Sequence, residues 1–164
     1  MSRPALQRVP LARTIDRESF VLAYLNLVAN GMSSLGSRRY LREFGIGINE
    51  WRVLSSLGNI PGGTAGDVAE LVGIHKSVVS RSLRSLTDAG LVGQDPELGR
   101  RRLFLTAAGA ALHDKIVPVA LAREELLLHG FDDDEAALLR TFLRRMHENL
   151  DRVAEGDEDG LRSS

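Results

Sequence analysis

The sequence contains no cysteine, and this absence excludes several mechanisms at once. Neither a disulfide framework, nor a thiolate zinc site, nor a cysteine-based peroxide sensor can be built from it. Aromatic residues are also scarce, at 5% of the chain, whereas 43% of its residues are hydrophobic. Because leucine, alanine and valine supply most of that content, we expect the 164 residues to form a helix-rich, soluble fold with a substantial core.

Long apolar runs are missing as well, since no segment approaches the roughly 20 residues that a membrane-spanning helix needs. The N-terminal sequence MSRPALQRVPLAR carries arginines but lacks the continuous apolar core of a secretory signal. We therefore expect a cytoplasmic protein without a membrane partner. The sequence also lacks a Ser-His-Asp set, a phosphate-binding loop and a metal-ligand motif, so we expect neither an enzyme nor a cofactor.

The formal net charge is only -1, but acidic and basic residues are distributed unevenly. Residues 75–102 hold six Lys and Arg against three Asp and Glu, and residues 1–52 hold eight against four. From 124 to 160 the balance reverses, with twelve acidic and four basic residues. Since binding depends on the local field rather than on the total charge, this net charge is compatible with a DNA partner.

The middle of the chain contains two short amphipathic segments separated by a glycine. Apolar residues recur at helical spacing in the first segment, at Val68, Leu71 and Val72. Gly73 follows at once and predicts a left-handed helix end, and a second helix is predicted to begin near His75. Two helices joined by so short a turn predict a helix-turn-helix.

The second of these helices is predicted to have one apolar and one polar face. Its apolar residues recur at four and three positions apart, at Val79, Leu83 and Leu86. The opposite face carries short hydroxyls and long cations, which are the side chains that reach phosphates and base edges in a major groove. The predicted DNA contacts on this face are Lys76, Ser77, Ser80, Arg81 and Arg84.

A two-stranded ribbon is predicted to follow. Gly90 ends the helix, the sequence DPELG has the proline and glycine of a hairpin turn, and RRRLFLT returns as an apolar strand. Arginines at the tip of such a hairpin are placed to enter a minor groove beside the recognition helix. The predicted contacts of this wing are Arg100, Arg101 and Arg102.

Three pieces carry a family resemblance: FGIGINEWRVLSSL, VAELVGIHKSVVSRSLRSLTDAGLV and LFLTAAGAAL. The run from Gly45 to Gly109 resembles the MarR family of bacterial transcriptional regulators, and the resemblance extends to most of the chain. It implies a homodimeric, DNA-binding regulator of the winged helix-turn-helix type. The run from Trp51 to Leu54 and the serine-rich recognition helix also resemble the branch of the family that senses small aromatic acids.

Two positions depart from the family pattern. His75 stands where the family usually carries Asp or Ser, and histidine is a weaker cap for the free amides of a helix start. In the wing, the familiar Asp-x-Arg element is replaced by Glu97, Leu98 and Gly99, with the arginines displaced beyond it. The sequence therefore leaves open which arginine enters a groove.

The rest of the chain is predicted to be helical, from about residue 15 to 44, from 107 to 129 and from 133 to 153. The last of these begins with a capping-box pattern at Asp132 and Glu135. Because the first helix is too long to bury its apolar stripe within a small winged domain, we expect the terminal helices to form a twofold dimer that presents two recognition helices to a pseudo-palindromic operator. The alternative is an intrachain bundle in a monomer.

The predicted fold class is therefore mainly α with a small β-hairpin wing, a winged helix-turn-helix plus N- and C-terminal dimerisation helices. The predicted organisation is an N-terminal extension and dimerisation helix at 1–48, a DNA-binding region at 49–106, C-terminal dimerisation helices at 107–154 and a disordered tail at 155–164.

The resemblance also implies an effector pocket where the dimerisation helices meet the winged region. Arginine can bind a carboxylate and tryptophan can form an apolar wall, so a phenolic or aryl carboxylate ligand would suit such a pocket. The candidate ligand-binding residues are Ser34, Arg38, Arg39, Trp51 and His113. The alternatives are a core position for Trp51, a solvated or phosphate-binding face for the arginines, and a structural role for His113.

Two other functions stay open at this point. A metal-responsive regulator of the same fold would need His113 to meet another ligand such as His147 or Glu124, although no metal-binding spacing supports it. A winged helix can also serve as a protein-protein interaction module. The polar, cationic face of the second helix argues against that module, because protein-binding faces normally expose aromatic or aliphatic anchors.

Overall fold

The structure is a computed structural model that describes residues 6–95 and 102–162, with side chains up to residue 157. Its elements in chain order are α1 (Val21–Phe44), α2 (Ile48–Asn59), α3 (Ala65–Val72), α4 (Lys76–Asp88), β1 (Val92–Gln94), β2 (Leu103–Leu105), α5 (Ala107–Leu127), α6 (Asp133–Glu148) and α7 (Leu150–Arg162). This mainly helical chain with a small hairpin confirms the predicted fold class. The chain divides into two compact units, 1–116 and 117–164.

In the first unit the other elements pack around α2, which contacts α1, α3, α4 and β2. The buried side of α2 carries Val53, Leu54 and Leu57, each at most 1% exposed. Val68 of α3 and Val79 of α4 are also fully buried, so the two helices of the predicted helix-turn-helix share one core with α2. This core holds the DNA-binding candidates on a rigid support.

The turn between α3 and α4 has the predicted geometry. Gly73 is in the left-handed region with φ +66°, and its N–H donates to the carbonyls of Ala69 and Glu70. One part of the predicted apolar stripe is wrong, because Leu71 is 55% exposed while Val68 is completely buried. The short helix α3 packs against α2 and α4 with only part of its apolar surface, and Leu71 lies outside that part.

The predicted ribbon is confirmed as an antiparallel pair of strands. Val92 lies opposite Leu105 and Gln94 lies opposite Leu103. Val92 and Leu103 are buried, since they face the winged core. The ribbon is therefore anchored by apolar contacts at its base, and its tip at residues 96–101 lies outside the described residues.

The start of α5 is fastened to the connection between α4 and β1. The Thr106 hydroxyl donates to the carbonyl of Gly90 at 2.7 Å and accepts from the N–H of Gly109 at 3.0 Å. Gly109 is buried, and a side chain there would overlap the carbonyl oxygen of Leu91. Only glycine allows this close backbone approach without displacing the connection.

The second unit contains the end of α5 together with α6 and α7. Pro118 lies inside α5 beside the division between the units, where it removes one backbone hydrogen bond from the helix. The predicted capping box at the start of α6 is confirmed, with Glu135 N donating to Asp132 Oδ1 at 2.8 Å and Asp132 N donating to Glu135 Oε2 at 3.0 Å.

The two ends of the chain differ from the sequence predictions. α1 begins at Val21 rather than near residue 15, because Asp16 accepts hydrogen bonds from Glu18 N and the Ser19 hydroxyl in a local turn that competes with a helix. The predicted disordered tail from 155 is helical in α7 up to Arg162. Asn149 between α6 and α7 keeps right-handed helical angles, so α7 extends existing helical structure and needs no costly new nucleus.

None of the helices described in the structure is long and apolar enough to cross a membrane.

Candidate nucleic-acid interface

The recognition-helix candidate α4 separates its residues sharply between two faces. Val79, Ser82, Leu83 and Leu86 are buried against the winged core, with exposures from 0% to 8%. All five predicted DNA contacts on this helix lie on the exposed side, which are Lys76, Ser77, Ser80, Arg81 and Arg84. The apolar residues of α4 therefore determine its rotation and leave the polar set accessible as one surface.

The three cations of this surface are not neutralised by the rest of the described chain. No carboxylate among residues 6–95 and 102–157 forms an ion pair with Lys76, Arg81 or Arg84. An unpaired surface cation keeps its full charge for a phosphate and does not have to break an internal ion pair first. This arrangement favours a polyanionic partner.

The N-terminal end of α4 adds to the positive field. Its first turn contains no acidic residue and begins with Lys76, so the free backbone N–H groups and the helix dipole act with this lysine. His75 caps the helix, because its Nδ1 accepts from the Ser77 N–H at 3.2 Å and lies 2.8 Å from the Ser77 hydroxyl. The departure from the family residue thus preserves a cap, and Ser77 takes part in it.

A buried polar contact that sequence reasoning missed ties α4 to α2. Ser82 is 2% exposed, and its hydroxyl donates to Glu50 Oε1 at 3.2 Å. A polar atom this deeply buried needs a partner, and the one it has lies on the helix at the centre of the core. The signal in the sequence was a serine at position 82, next to Leu83 on the otherwise apolar face of α4.

A groove of about 700 Å³ runs between α4 and the base of the wing. Two of the predicted DNA contacts, Ser80 and Arg84, line it together with residues of β1, β2 and the start of α3. Its full lining is Thr64, Ala65, Gly66, Ser80, Leu83, Arg84, Thr87, Asp88, Gln94 and Leu103. The concave surface therefore connects the recognition helix to the wing.

The three predicted wing arginines separate into two groups. Arg100 and Arg101 lie outside the described residues, so their predicted role stays a prediction. Arg102 lies at the base of the wing, where its guanidinium Nη1 donates to the carbonyl oxygen of Gly62 at 3.1 Å. The sequence predicted the same DNA-binding role for all three arginines, but the Arg102 side chain is already hydrogen-bonded to Gly62.

Of the effector candidates, the structure brings Trp51 and His113 together. Their ring centroids are 5.5 Å apart, and the Trp51 ring lies 6.0 Å from that of Tyr40 on α1. Trp51 is only 8% exposed and therefore lies in the core, as the alternative to a ligand-binding role predicted. The cluster joins α1, α2 and the start of α5.

The other three candidates lie on α1 without a common contact. Arg39 pairs with Glu43 at 3.1 Å, and Arg42 pairs with the same carboxylate at 2.9 Å. The hydrogen bonds from Arg42 and then Arg39 hold the pKa of Glu43 below its ordinary value. Ser34 and Arg38 are exposed, and the side chain of neither forms a hydrogen bond or ion pair with another described residue.

A cleft of about 330 Å³ beside Trp51 contains residues that were not predicted. It is lined by Trp51, Arg52, Ser55, Ser56, Asn59, Leu71 and Val72. The Arg52 guanidinium donates to the Ser33 hydroxyl on α1 at 2.9 Å. Arg52 is the one cation among the residues that line this cleft, and the exposed Leu71 forms part of the same lining.

Within residues 6–95 and 102–157, no group of three or more His, Asp or Glu side chains is arranged to hold a metal ion.

Comparison with known proteins shows similarity in sequence and fold to MarR-family regulators. Residues 44–102 match the sequence model of the MarR family. The MarR/EmrR family transcriptional regulator from Acinetobacter sp. ADP1 is 26% identical, with 84% of this chain and 99% of that chain covered and a TM-score of 0.79. A solved structure of MarR is 27% identical over 86% of this chain and 97% of that chain, with a TM-score of 0.68.

A more distant structure shares the fold. The MepR-DNA complex of S. aureus is 20% identical, with 82% of this chain and 99% of that chain covered and a TM-score of 0.69. No curated protein matches the sequence significantly.

Proposed function

We propose that this chain, with its MarR-family segment and the fold of MarR regulators, is a sequence-specific DNA-binding transcriptional regulator that acts as a homodimeric repressor. The observation that carries this proposal is the exposed polar face of α4, whose cations form no ion pair with any residue that the structure describes. Lys76, Arg81 and Arg84 are available to phosphates and base edges, while Ser77 and Ser80 add short hydroxyls. The S. aureus MepR structure, which has the same fold, is a complex with DNA.

The proposed dimer rests on the apolar residues of the terminal helices. Val21, Leu22, Val28, Leu35 and Leu41 of α1 are between 48% and 62% exposed. In the second unit, Leu138, Phe142 and Leu143 of α6 and Leu150 and Val153 of α7 are between 42% and 57% exposed. Apolar surface of this extent is typical of an interface between subunits. A twofold dimer then presents two copies of α4 to two half-sites about one helical turn apart.

Release by a small ligand is the second part of the proposal. Tyr40 of α1, Trp51 of α2 and His113 of α5 form one cluster of rings. The cleft that contains Arg52 is also lined by Trp51. An aryl carboxylate or phenol held there would favour one spacing of the two winged regions over another. A ligand that binds both spacings equally would leave the affinity for DNA unchanged.

A winged-helix module for protein contact is the alternative. Such a surface would need apolar anchors on α4, and its exposed side instead carries serines and cations. Metal-responsive regulation would need a ligand cluster, for which the described residues provide no candidate.

The test is a fluorescence anisotropy titration of the full chain with the DNA upstream of its own coding sequence and with random DNA, at two salt concentrations. We expect tighter binding to the upstream DNA and a steep loss of affinity with salt. Adding a panel of aryl carboxylates should release the complex with at least one compound. Equal binding to both DNAs at every salt concentration would contradict sequence-specific regulation through this operator.

A further inference from the structure

The base of the wing is held by the short loop between α2 and α3. The N–H of Gly62 donates to the carbonyl of Leu103 at 2.8 Å, and the N–H of Leu103 donates to the carbonyl of Gly63 at 3.2 Å. Gly62 has φ +79°, and the ring of Phe104 lies against it where a Cβ would be 3.0 Å from the ring. This loop therefore extends the two-stranded ribbon by a short third segment.

Arg102 adds a side-chain contact to this segment at the first described residue after the wing tip. Its guanidinium donates to the carbonyl oxygen of Gly62 at 3.1 Å, beside the two backbone hydrogen bonds. The contact spans 40 positions of the chain, so it fixes the returning strand relative to the start of the helix-turn-helix. The orientation of the guanidinium is determined by this bond and by the strand that carries it.

An acidic residue of α3 interacts electrostatically with the guanidinium of Arg102. Asp67 is committed to the capping box of α3, where it accepts from the N–H of Thr64 at 2.8 Å. The hydrogen bonds with Thr64 lower the pKa of Asp67 most, and the charge of Arg102 lowers it further. Arg102 thus lies in the field of an internal carboxylate.

We propose that Arg102 is a positioning residue that fixes the base of the wing on the Gly62 loop, and that it contributes to DNA binding by orienting the wing rather than by contacting a phosphate. The part concerning DNA rests on the proposed function. The part concerning the wing base is a property of the free protein. The three wing arginines are then not equivalent, and only those before Arg102 are left for the groove.

The first test is amide hydrogen exchange on the full chain without DNA. In Arg102→Ala we expect the amides of Gly62 and Leu103 to exchange about three- to tenfold faster, because the side-chain bond that steadies their ladder is lost. Core amides such as that of Val53 should keep their rates, which separates local loosening from global destabilisation. Arg102→Lys should restore part of the protection, since an ammonium group can still donate to the Gly62 carbonyl. Unchanged rates at both amides would overturn the proposal.

The second test is the salt dependence of operator affinity. Arg102→Ala should weaken specific binding while the slope of log K against log salt stays that of the unaltered protein, because no phosphate contact is lost. The matched control is Arg84→Ala, which should reduce the slope by about 0.9 and leave the exchange at Gly62 and Leu103 unchanged. A slope reduced by a similar amount in Arg102→Ala would place Arg102 on a phosphate and overturn its positioning role. If the unaltered chain does not distinguish operator from random DNA, the proposed function fails, and the exchange experiment still decides the role of Arg102 at the wing base.

Discussion

The winged region and the terminal helices use the same apolar residue types with opposite results. In α2, α3 and α4, residues such as Leu54, Val68 and Val79 are completely buried. In α6, the only buried residue is Ala136, and Phe142 is 46% exposed. The winged region completes its core within one chain, whereas the terminal helices leave apolar surface exposed, which the proposed dimer would cover. Four predictions test this difference, from the largest expected effect to the smallest.

The largest effect is expected at Gly109, in the self-contained part. Gly109→Ala should destabilise the protein by about 3 kcal/mol, because the added methyl overlaps the Leu91 carbonyl and forces the start of α5 away from the α4–β1 connection. Thermal unfolding followed by circular dichroism measures the loss. Gly93→Ala is the matched control, since its Cβ would lie 3.8 Å from Thr106 Cγ2 in ordinary contact. Equal melting temperatures for Gly109→Ala and the unaltered chain would show that the α4–β1 connection moves aside without loss of stability.

The second effect concerns the terminal helices. Leu143 is 42% exposed in the single chain, so Leu143→Glu should cost little helix content. It should weaken the proposed dimer at least about a hundredfold, because an unpaired charge is costly to bury in an interface. Analytical ultracentrifugation gives the dissociation constant, and operator binding should fall with it. Arg145→Glu, two residues on and on the opposite side of α6, is the charge-changing control. A Leu143→Glu dimer as tight as the original would exclude this face of α6 from the interface.

The third effect concerns the exposed face of α4. Arg84→Ala should weaken operator binding about tenfold, the order expected for one lost base or phosphate contact, with the dimer and the melting temperature unchanged. Ser85→Ala, at the next exposed position of the helix, is the control that should bind normally. Operator affinity equal to that of the unaltered chain would remove Arg84 from the interface.

The smallest effect is expected at the start of α4. His75→Asp should raise the free energy of unfolding by about 0.5–1 kcal/mol, since a carboxylate is a better cap and also interacts favourably with the helix dipole. Urea denaturation with the operator absent measures this gain without the added repulsion between the new carboxylate and the phosphates. A lower stability of His75→Asp would mean that the His75–Ser77 contact stabilises the helix start more than an aspartate cap does.

Much of the local structure could be predicted from the sequence because its signals are short-range. Gly73, the apolar positions of α4 and the capping box at Asp132 depend on residues three or four apart, and the structure agrees with each. The exposure of Leu71 could not be predicted, because helical spacing indicates an apolar face but not how much of that face is buried. The burial of Ser82 required its partner Glu50, which is 32 positions away.

The candidate effector site was less predictable than the DNA-binding surface for the same reason. Trp51 and His113 meet across 62 positions of the chain, and no spacing rule connects them. Arg52, which follows Trp51 directly, was overlooked because its role depends on Ser33 of α1 and on the cleft between α2 and α3. Five of the eight DNA-binding candidates share α4, so a single periodic pattern predicted that they lie on one face.

The sequence by itself determined the helix-turn-helix with its ribbon, the long helices on either side of them, the sign of the charge on α4 and the family that the central segment resembles. These features follow from short-range periodicity, from the conformational limits of glycine and proline, and from side-chain chemistry. Only the tertiary structure decided that Arg102 is tied to Gly62, that Gly109 must remain without a side chain, and that Trp51 is in the core. Each of those depends on contacts between segments distant in the chain, which the packing of the whole winged region brings together.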